Sequence, residues 1–156
     1  MASLAKNFEA KFKQDFSKLD GAIVDRLYDT TNGFKGNTNP CDFIAYKYPN
    51  IFYIEIKTTK GNTLPLDRIT QYDKLIKKAG VKGVRAGVIV WFYEKDYILY
   101  VPIKSIEKMK KDEKKSINLK KLVDNNEYKY YNIIGVKKRT YFDSDYTILT
   151  QTKEGD

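Results

Sequence analysis

Asp42, Glu55 and Lys57 are the residues whose types and spacing most readily combine into chemistry. Between Ile51 and Lys57 the chain is rich in β-branched and aromatic residues, and side chains in a strand alternate between its two faces. Phe52, Ile54 and Ile56 then point one way, and Tyr53, Glu55 and Lys57 the other. Asp42 opens a strand, Asp42 to Tyr46, that runs antiparallel to this one across the turn Tyr48-Pro49-Asn50, a geometry that brings its carboxylate toward Glu55. Two carboxylates and an ammonium on one patch make a hard oxygen site suited to Mg²⁺, with Mn²⁺ as a substitute, and the backbone carbonyl of Ile56 offers a further ligand. A cation held there would acidify water for in-line attack on phosphorus and neutralise the developing charge, while Lys57 orients that water or offsets the extra negative charge. Taken alone, a Glu-x-Lys is ordinarily an exposed ion-pair face in a chain with 31% charged residues. Here it is accompanied by Asp42 a strand and a turn upstream, an acid on a preceding helix and Gln71 on a following one.

Composition removes most alternative chemistries. The chain contains no histidine, which excludes histidine general bases, Ser-His-Asp and Cys-His nucleophiles and histidine-ligated nuclease centres. A single cysteine, Cys41, excludes an intrachain disulfide and any multi-cysteine zinc site, and suits a reducing compartment. Carboxylates, lysines and tyrosines are left to carry catalysis. Lys and Arg number 29 against 20 Asp and Glu, giving a formal charge of +9, which favours a polyanionic partner: nucleic acid first, an acidic membrane second. The longest apolar run, Ala86 to Tyr93, is too short to span a bilayer, and Met1 to Asp20 lacks the apolar stretch of a signal peptide. A cytosolic protein without a membrane anchor is expected.

The elements that must position the candidate residues can be read from periodicity. Leu4, Phe8, Phe12, Phe16 and Leu19 recur at helical spacing, so residues 3–19 read as an amphipathic helix stopped by Gly21. Ala22 to Leu27 reads as a strand, followed by a Gly/Asn/Thr-rich loop from Thr30 to Pro40. Asp67 caps a predicted helix with Ile69, Tyr72, Ile76 and Ala79 on one face, and Gly80 ends it. Arg85 to Tyr93 and Tyr97 to Val101, joined by Glu94-Lys95-Asp96, form a hairpin predicted in the buried middle of a sheet. Lys104 to Lys121, with eight lysines against Glu107, Asp112 and Glu113, reads as a basic helix. Tyr128 to Ile134 and Tyr141 to Leu149 read as late strands, and Gln151 to Asp156 as a tail that frays. This order gives an α/β (α+β) fold, a mixed central sheet flanked by helices. The expected organisation is one domain over 1–156: a core about 3–103, the basic segment and late strands 104–149, and a polar tail 150–156.

With these residues in place, the chain resembles the PD-(D/E)XK nucleases, the restriction-endonuclease-like superfamily, and within it the RecU-like and archaeal Holliday junction resolvases. The resemblance covers roughly residues 6–103: Phe8-Glu9 on the first helix, Asp42, Glu55-x-Lys57, Thr58-Thr59, the loop into Pro65, the helix with Gln71, and the strand Gly87 to Phe92. It implies that Asp42 and Glu55 ligate metal, that Lys57 is the catalytic lysine, that Glu9 is an accessory acid reaching the metal through water, and that Gln71 lines the site. Cys41 stands between proline and aspartate, so the first motif is P-x-D. A short Gly/Asn/Thr loop precedes Asp42 where RecU proteins carry a longer stalk that engages the junction.

The resulting expectation is a metal-dependent DNA endonuclease, a junction resolvase of DNA recombination or repair acting as a homodimer. A sequence-specific restriction or homing endonuclease on the same core and a non-catalytic DNA-binding module are the alternatives. Lys35, Lys60 and the cluster Lys110, Lys111, Lys114 and Lys115 are the expected phosphate contacts, with Phe34 able to stack on a base. Tyr128, Tyr130, Tyr131, Tyr141 and Tyr146 offer aromatic surface for a dimer interface.

Overall fold

The computed structural model describes residues 3–28, 39–139 and 141–156. Its elements are α1 (Leu4–Phe16), β1 (Ile23–Arg26), β2 (Phe43–Lys47), β3 (Asn50–Thr59), β4 (Thr63–Pro65), α2 (Tyr72–Lys78), β5 (Val84–Phe92), β6 (Tyr97–Pro102), α3 (Ile103–Lys111), β7 (Ser116–Asn118), α4 (Leu119–Asn125), β8 (Tyr131–Lys137) and β9 (Phe142–Asp145). Seven strands form one mixed sheet in the order β1-β2-β3-β5-β6-β8-β9, antiparallel except where β3 runs parallel to β5. That parallel pair needs a crossover, and the chain supplies one through β4, a 3-10 turn at Leu66–Arg68 and α2. β4 and β7 pair apart from the main sheet. The fold is the mixed α/β sheet flanked by helices that the sequence predicts. No helix among the described residues is long and apolar enough to cross a membrane.

β5 occupies the centre of the sheet because both of its faces are apolar. Ala86, Val88, Val90 and Phe92 enter one core with residues of α2 and α3, while Ile89 and Trp91 enter the other beneath α1. This explains why Ala86 to Tyr93 reads as a continuous apolar run instead of an alternating one. On α1, Ser3 caps the helix by accepting from the Lys6 amide at 3.2 Å. Phe8, Phe12 and Phe16 form the buried stripe, packed edge-on or tilted against Trp91, Phe43, Phe52 and Tyr146. Leu4 departs from the predicted stripe and is exposed.

Three predicted elements come out differently, each because tertiary pairing or a local cap overrides periodicity. The helix expected from Asp67 begins only at Tyr72: β4 pairs with β7, and Leu66 N–H donates to the Lys115 carbonyl at 2.9 Å, which holds the preceding residues extended. The basic segment Lys104 to Lys121 is not one helix. α3 ends at Lys111, Glu113 takes a positive φ of 62°, and Ser116–Asn118 becomes β7, burying Ile117; Asn118 then caps α4 by accepting from the Lys121 amide at 3.0 Å. The strand expected over Tyr141 to Leu149 stops at Asp145, whose carboxylate accepts from the Thr147 amide at 2.9 Å and starts a 3-10 helix, Tyr146–Gln151.

The tail expected to fray is tied down. Arg85 donates to the Thr152 hydroxyl at 3.2 Å and to its carbonyl at 3.1 Å, and the Tyr100 hydroxyl donates to the Asp156 carbonyl at 3.2 Å. The Asp156 carboxylate meets Lys129 Nζ at 2.9 Å, the Lys153 amide at 2.8 Å and the Tyr131 hydroxyl. Burial pushes that carboxyl up, but these donors outweigh it and hold it below the usual carboxylate range.

Candidate active site

The site is built where β2 and β3 part. Asp42 immediately precedes β2, and its backbone still continues the ladder: its N–H donates to the Ile54 carbonyl at 3.0 Å and its carbonyl accepts from Leu27 N–H at 2.9 Å. Beyond this point β3 runs on without β2 beside it. The next inward-facing donor of β3 is the Ile56 amide, and it is taken by the Asp42 side chain, with Oδ2 accepting at 2.7 Å. The carboxylate thereby fills the place of the missing ladder partner and is fixed at the strand edge. The N–H and C=O of one strand residue point toward the same neighbour, so the Ile56 carbonyl is turned to this edge as well.

Glu55 and Lys57 follow the predicted alternation. Phe52, Ile54 and Ile56 are buried in the core beneath α1, whereas Tyr53 packs against the opposite core. On Tyr53's face, Lys57 Nζ lies 3.3 Å from Glu55 Oε1, with the glutamate side chain 1% exposed and the lysine 22%. Burial pushes the Glu55 carboxyl above its usual value. Lys57 opposes that shift, Asp42 adds to it, and a hydrogen bond from the Gln71 backbone opposes it. Glu55 Oε2 is buried and has no hydrogen-bond partner among the described residues.

Gln71 reaches the site differently from the expectation. Because α2 starts at Tyr72, Gln71 stands at its N-cap position without a side-chain cap bond, and its main chain approaches Glu55. Its side-chain Nε2 donates to the Asn39 carbonyl at 3.4 Å. Glu9 projects from α1 toward the same edge, held by Arg26 at 2.8 Å. Burial raises its carboxyl, Arg26 opposes the rise, Asp42 adds to it and Lys57 lowers it, so all four groups share one electrostatic neighbourhood. Arg26 has no counterpart in the sequence reading. Its signal was its place at the end of β1, where only the packing of α1 across β1 reveals that it faces Glu9.

A divalent cation fits this donor set. A buried carboxylate with an unsatisfied oxygen, beside a second carboxylate, is unfavourable unless positive charge meets it, and a single lysine meets only one of its oxygens. Among the described residues no three carboxylate or thiolate groups gather into a metal cage. Asp42, Glu55 and the Ile56 carbonyl would therefore hold the ion from one side, with water and phosphate completing the shell, as suits Mg²⁺. Cys41 is not a donor here: it is buried, its Sγ lies 3.1 Å from the Phe43 carbonyl, and burial pushes its thiol up to about 12.

No protein-family model matches the chain, and no curated protein matches it in sequence. Among solved structures, Hjc, a Holliday junction resolvase from the archaeal hyperthermophile Archaeoglobus fulgidus, is similar over 64% of this chain and 78% of its own, with a TM-score of 0.51 and 21% identity. The two share a fold. At that identity the likeness speaks for architecture alone.

The expected phosphate contacts are scattered around this fold. Lys60 is exposed in the turn that follows β3. Lys110, Lys114 and Lys115 line an open groove with Pro65, Leu66 and Asp67, where the chain leaves β4 toward Gln71. Lys110 also sits over the Tyr72 ring at 3.9 Å, and Lys111 is 3.8 Å from Glu107. Lys35 and Phe34 lie outside the described residues. Of the tyrosines expected at an interface, Tyr128 and Tyr146 are core residues, which removes them from that role; Tyr130 and Tyr131 are partly buried, and Tyr141 is exposed.

Proposed function

We propose that this protein is a metal-dependent endonuclease that hydrolyses phosphodiester bonds in DNA, and that its preferred substrate is a four-way junction. The observation that carries the reading is the convergence of Asp42, Glu55 and Lys57 on the edge left open where β2 ends. Asp42 and Glu55, with the Ile56 carbonyl, are the proposed ligands of Mg²⁺ or Mn²⁺. When bound, the ion supplies Lewis-acid stabilisation of charge on phosphate and a more acidic water. Lys57, fixed by Glu55 but still open to solvent, donates to the attacking water or to a phosphate oxygen. Glu9, anchored by Arg26, accepts from water at the edge of the site, and the Gln71 main chain hydrogen-bonds Glu55, opposing, after Lys57, the rise that burial imposes on its carboxyl.

The proposed preference for junctions rests on the shared fold with a protein that is a Holliday junction resolvase. Resolution needs two matched nicks, and a symmetric dimer supplies two sites at fixed separation. Incubating the protein with Mg²⁺ and end-labelled four-way junction or matched linear duplex tests both parts. Paired cuts near the branch point, made by a dimer in light scattering, are expected. Cleavage of duplex at one fixed sequence would favour the restriction or homing alternative, and binding without cleavage the non-catalytic one.

DNA affinity should fall steeply with salt, because each neutralised phosphate releases condensed counterions. Changing Lys110, Lys111, Lys114 and Lys115 together to Gln is expected to reduce the slope of log affinity against log salt by about 2 to 3, since each full phosphate contact contributes about 0.9. Lys111 contributes least, being paired with Glu107. An unchanged slope would mean that this groove faces away from DNA.

A further inference from the structure

On the flank of α1 opposite Glu9, the surface carries a second site. Asn7 and Lys11 project toward β9, while Glu9 projects toward Arg26 on β1. Three adjoining hollows lie along this flank, and Tyr141, 45% exposed, lines all of them. The largest, about 680 Å³, runs beside Lys11, Gln14 and Lys18; the next, about 180 Å³, opens between Trp91, Tyr93 and the cations Lys137, Lys138 and Arg139. Lys11 Nζ stands over the Tyr141 ring at 4.8 Å. The Trp91 indole Nε1 is buried without an acceptor among the described residues, although buried indole N–H groups usually find one.

The charges of this groove are organised around its rings. Asp143 ties Lys11 at 2.6 Å and Lys138 at 4.0 Å, Asp96 ties Lys137 at 2.8 Å, and buried Asp15 takes Lys11 at 3.0 Å and Lys18 at 3.2 Å. Five cations thus face three carboxylates, one of them buried, and the surplus lies beside Tyr141 and Trp91. An exposed ring, Tyr141, flanked by surplus ammonium and guanidinium groups matches a ligand in which flat bases alternate with phosphates. Neither a free phosphate nor a duplex with stacked, covered bases would use the ring.

We infer that this Tyr141 groove binds a single-stranded segment of DNA, with a base on the exposed Tyr141 ring beside the hollow that buried Trp91 lines and phosphates on Lys137, Lys138 and Arg139. The choice of DNA rests on the endonuclease reading, while the groove itself uses none of the residues proposed to cut. A helix is about 10–12 Å across, so the groove lies about that far from Glu9, and one branched molecule can occupy both flanks of α1.

Trp91 is the only tryptophan in the chain, so its emission reports on the groove. The full-length protein in EDTA is titrated with an oligothymidylate of about 15 nucleotides, a length within the usual range for single-strand sites. Saturable quenching or a shift of Trp91 emission is expected. Tyr141→Ala should weaken binding about tenfold and Tyr141→Phe should retain it, because the ring and not the hydroxyl stacks. Asp42→Asn should leave the titration unchanged. Oligonucleotide that fails to bind, that binds by anisotropy without altering Trp91, or that binds Tyr141→Ala as tightly as the unaltered chain overturns the inference. Quenching in a protein that cleaves no DNA with Mg²⁺ would keep the groove and remove the endonuclease reading; cleavage without quenching would do the reverse.

Discussion

Asp42→Asn and Glu55→Gln are each expected to lower cleavage at least about a thousandfold while leaving DNA affinity near that of the unaltered protein. Both carboxylates sit on the proposed cation, and losing about 4 kcal/mol of transition-state stabilisation corresponds to a thousandfold in rate. Affinity is expected to come instead from the lysines proposed to meet phosphate elsewhere on the surface. The Glu55 variant carries a second expectation that needs no substrate. Its side chain is buried, its carboxyl is raised by burial, and Oε2 has no partner among the described residues. An amide of the same shape removes a charge that the fold carries at a cost, so the metal-free variant should unfold at the same temperature as the unaltered chain or higher. Mg²⁺ or Mn²⁺ binds only the folded state and should raise the melting temperature of the unaltered protein but not of Glu55→Gln. Nicking at an undiminished rate under matched Mg²⁺ by either variant would remove the metal-site reading.

The sequence made the site more legible than the connections around it. Asp42, Glu55 and Lys57 could be brought together because strand alternation and one short turn fix their relative placement, and the structure keeps that register with Phe43 opposite Ile54. What alternation does not reveal is that β2 ends early, so that Asp42 Oδ2 replaces a ladder carbonyl at the Ile56 amide. Gln71 was misread as a mid-helix amide because Asp67 and Ile69 mimic a helix start. The extended pairing of Thr63–Pro65 with Ser116–Asn118, about fifty residues away in sequence, decides otherwise. The same pairing breaks the lysine-rich segment, whose charge pattern alone fits a single helix. Arg26 shows the same limit from the other side: its partner Glu9 lies on α1, and only the packing of α1 across β1 joins them.

Lys57→Met should separate catalysis from metal binding in a way that the carboxylate variants do not. The lysine ammonium lies 3.3 Å from a carboxylate that is almost fully buried, while the lysine itself stays partly open. Removing it leaves Glu55 buried without that cation, so the metal-free protein should lose about 2 kcal/mol of stability; this is less than the cost of breaking a fully buried pair, because solvent already screens the lysine end. A divalent cation supplies the missing charge. Mg²⁺ should therefore raise the melting temperature of Lys57→Met by more than it raises that of the unaltered protein, the opposite of its effect on Glu55→Gln. Cleavage should still fall by about a hundredfold or more, because the ammonium proposed to donate to water or phosphate is gone. Combining Glu55→Gln with Lys57→Met should recover most of the lost metal-free stability, since the buried charge that needed the lysine is gone. Urea unfolding of the four proteins with and without Mg²⁺, beside single-turnover nicking, measures each term. If Lys57→Met keeps its metal-free stability and shows an unaltered metal shift, the Glu55–Lys57 pair is an ordinary ion pair and Lys57 has no claim to the proposed site.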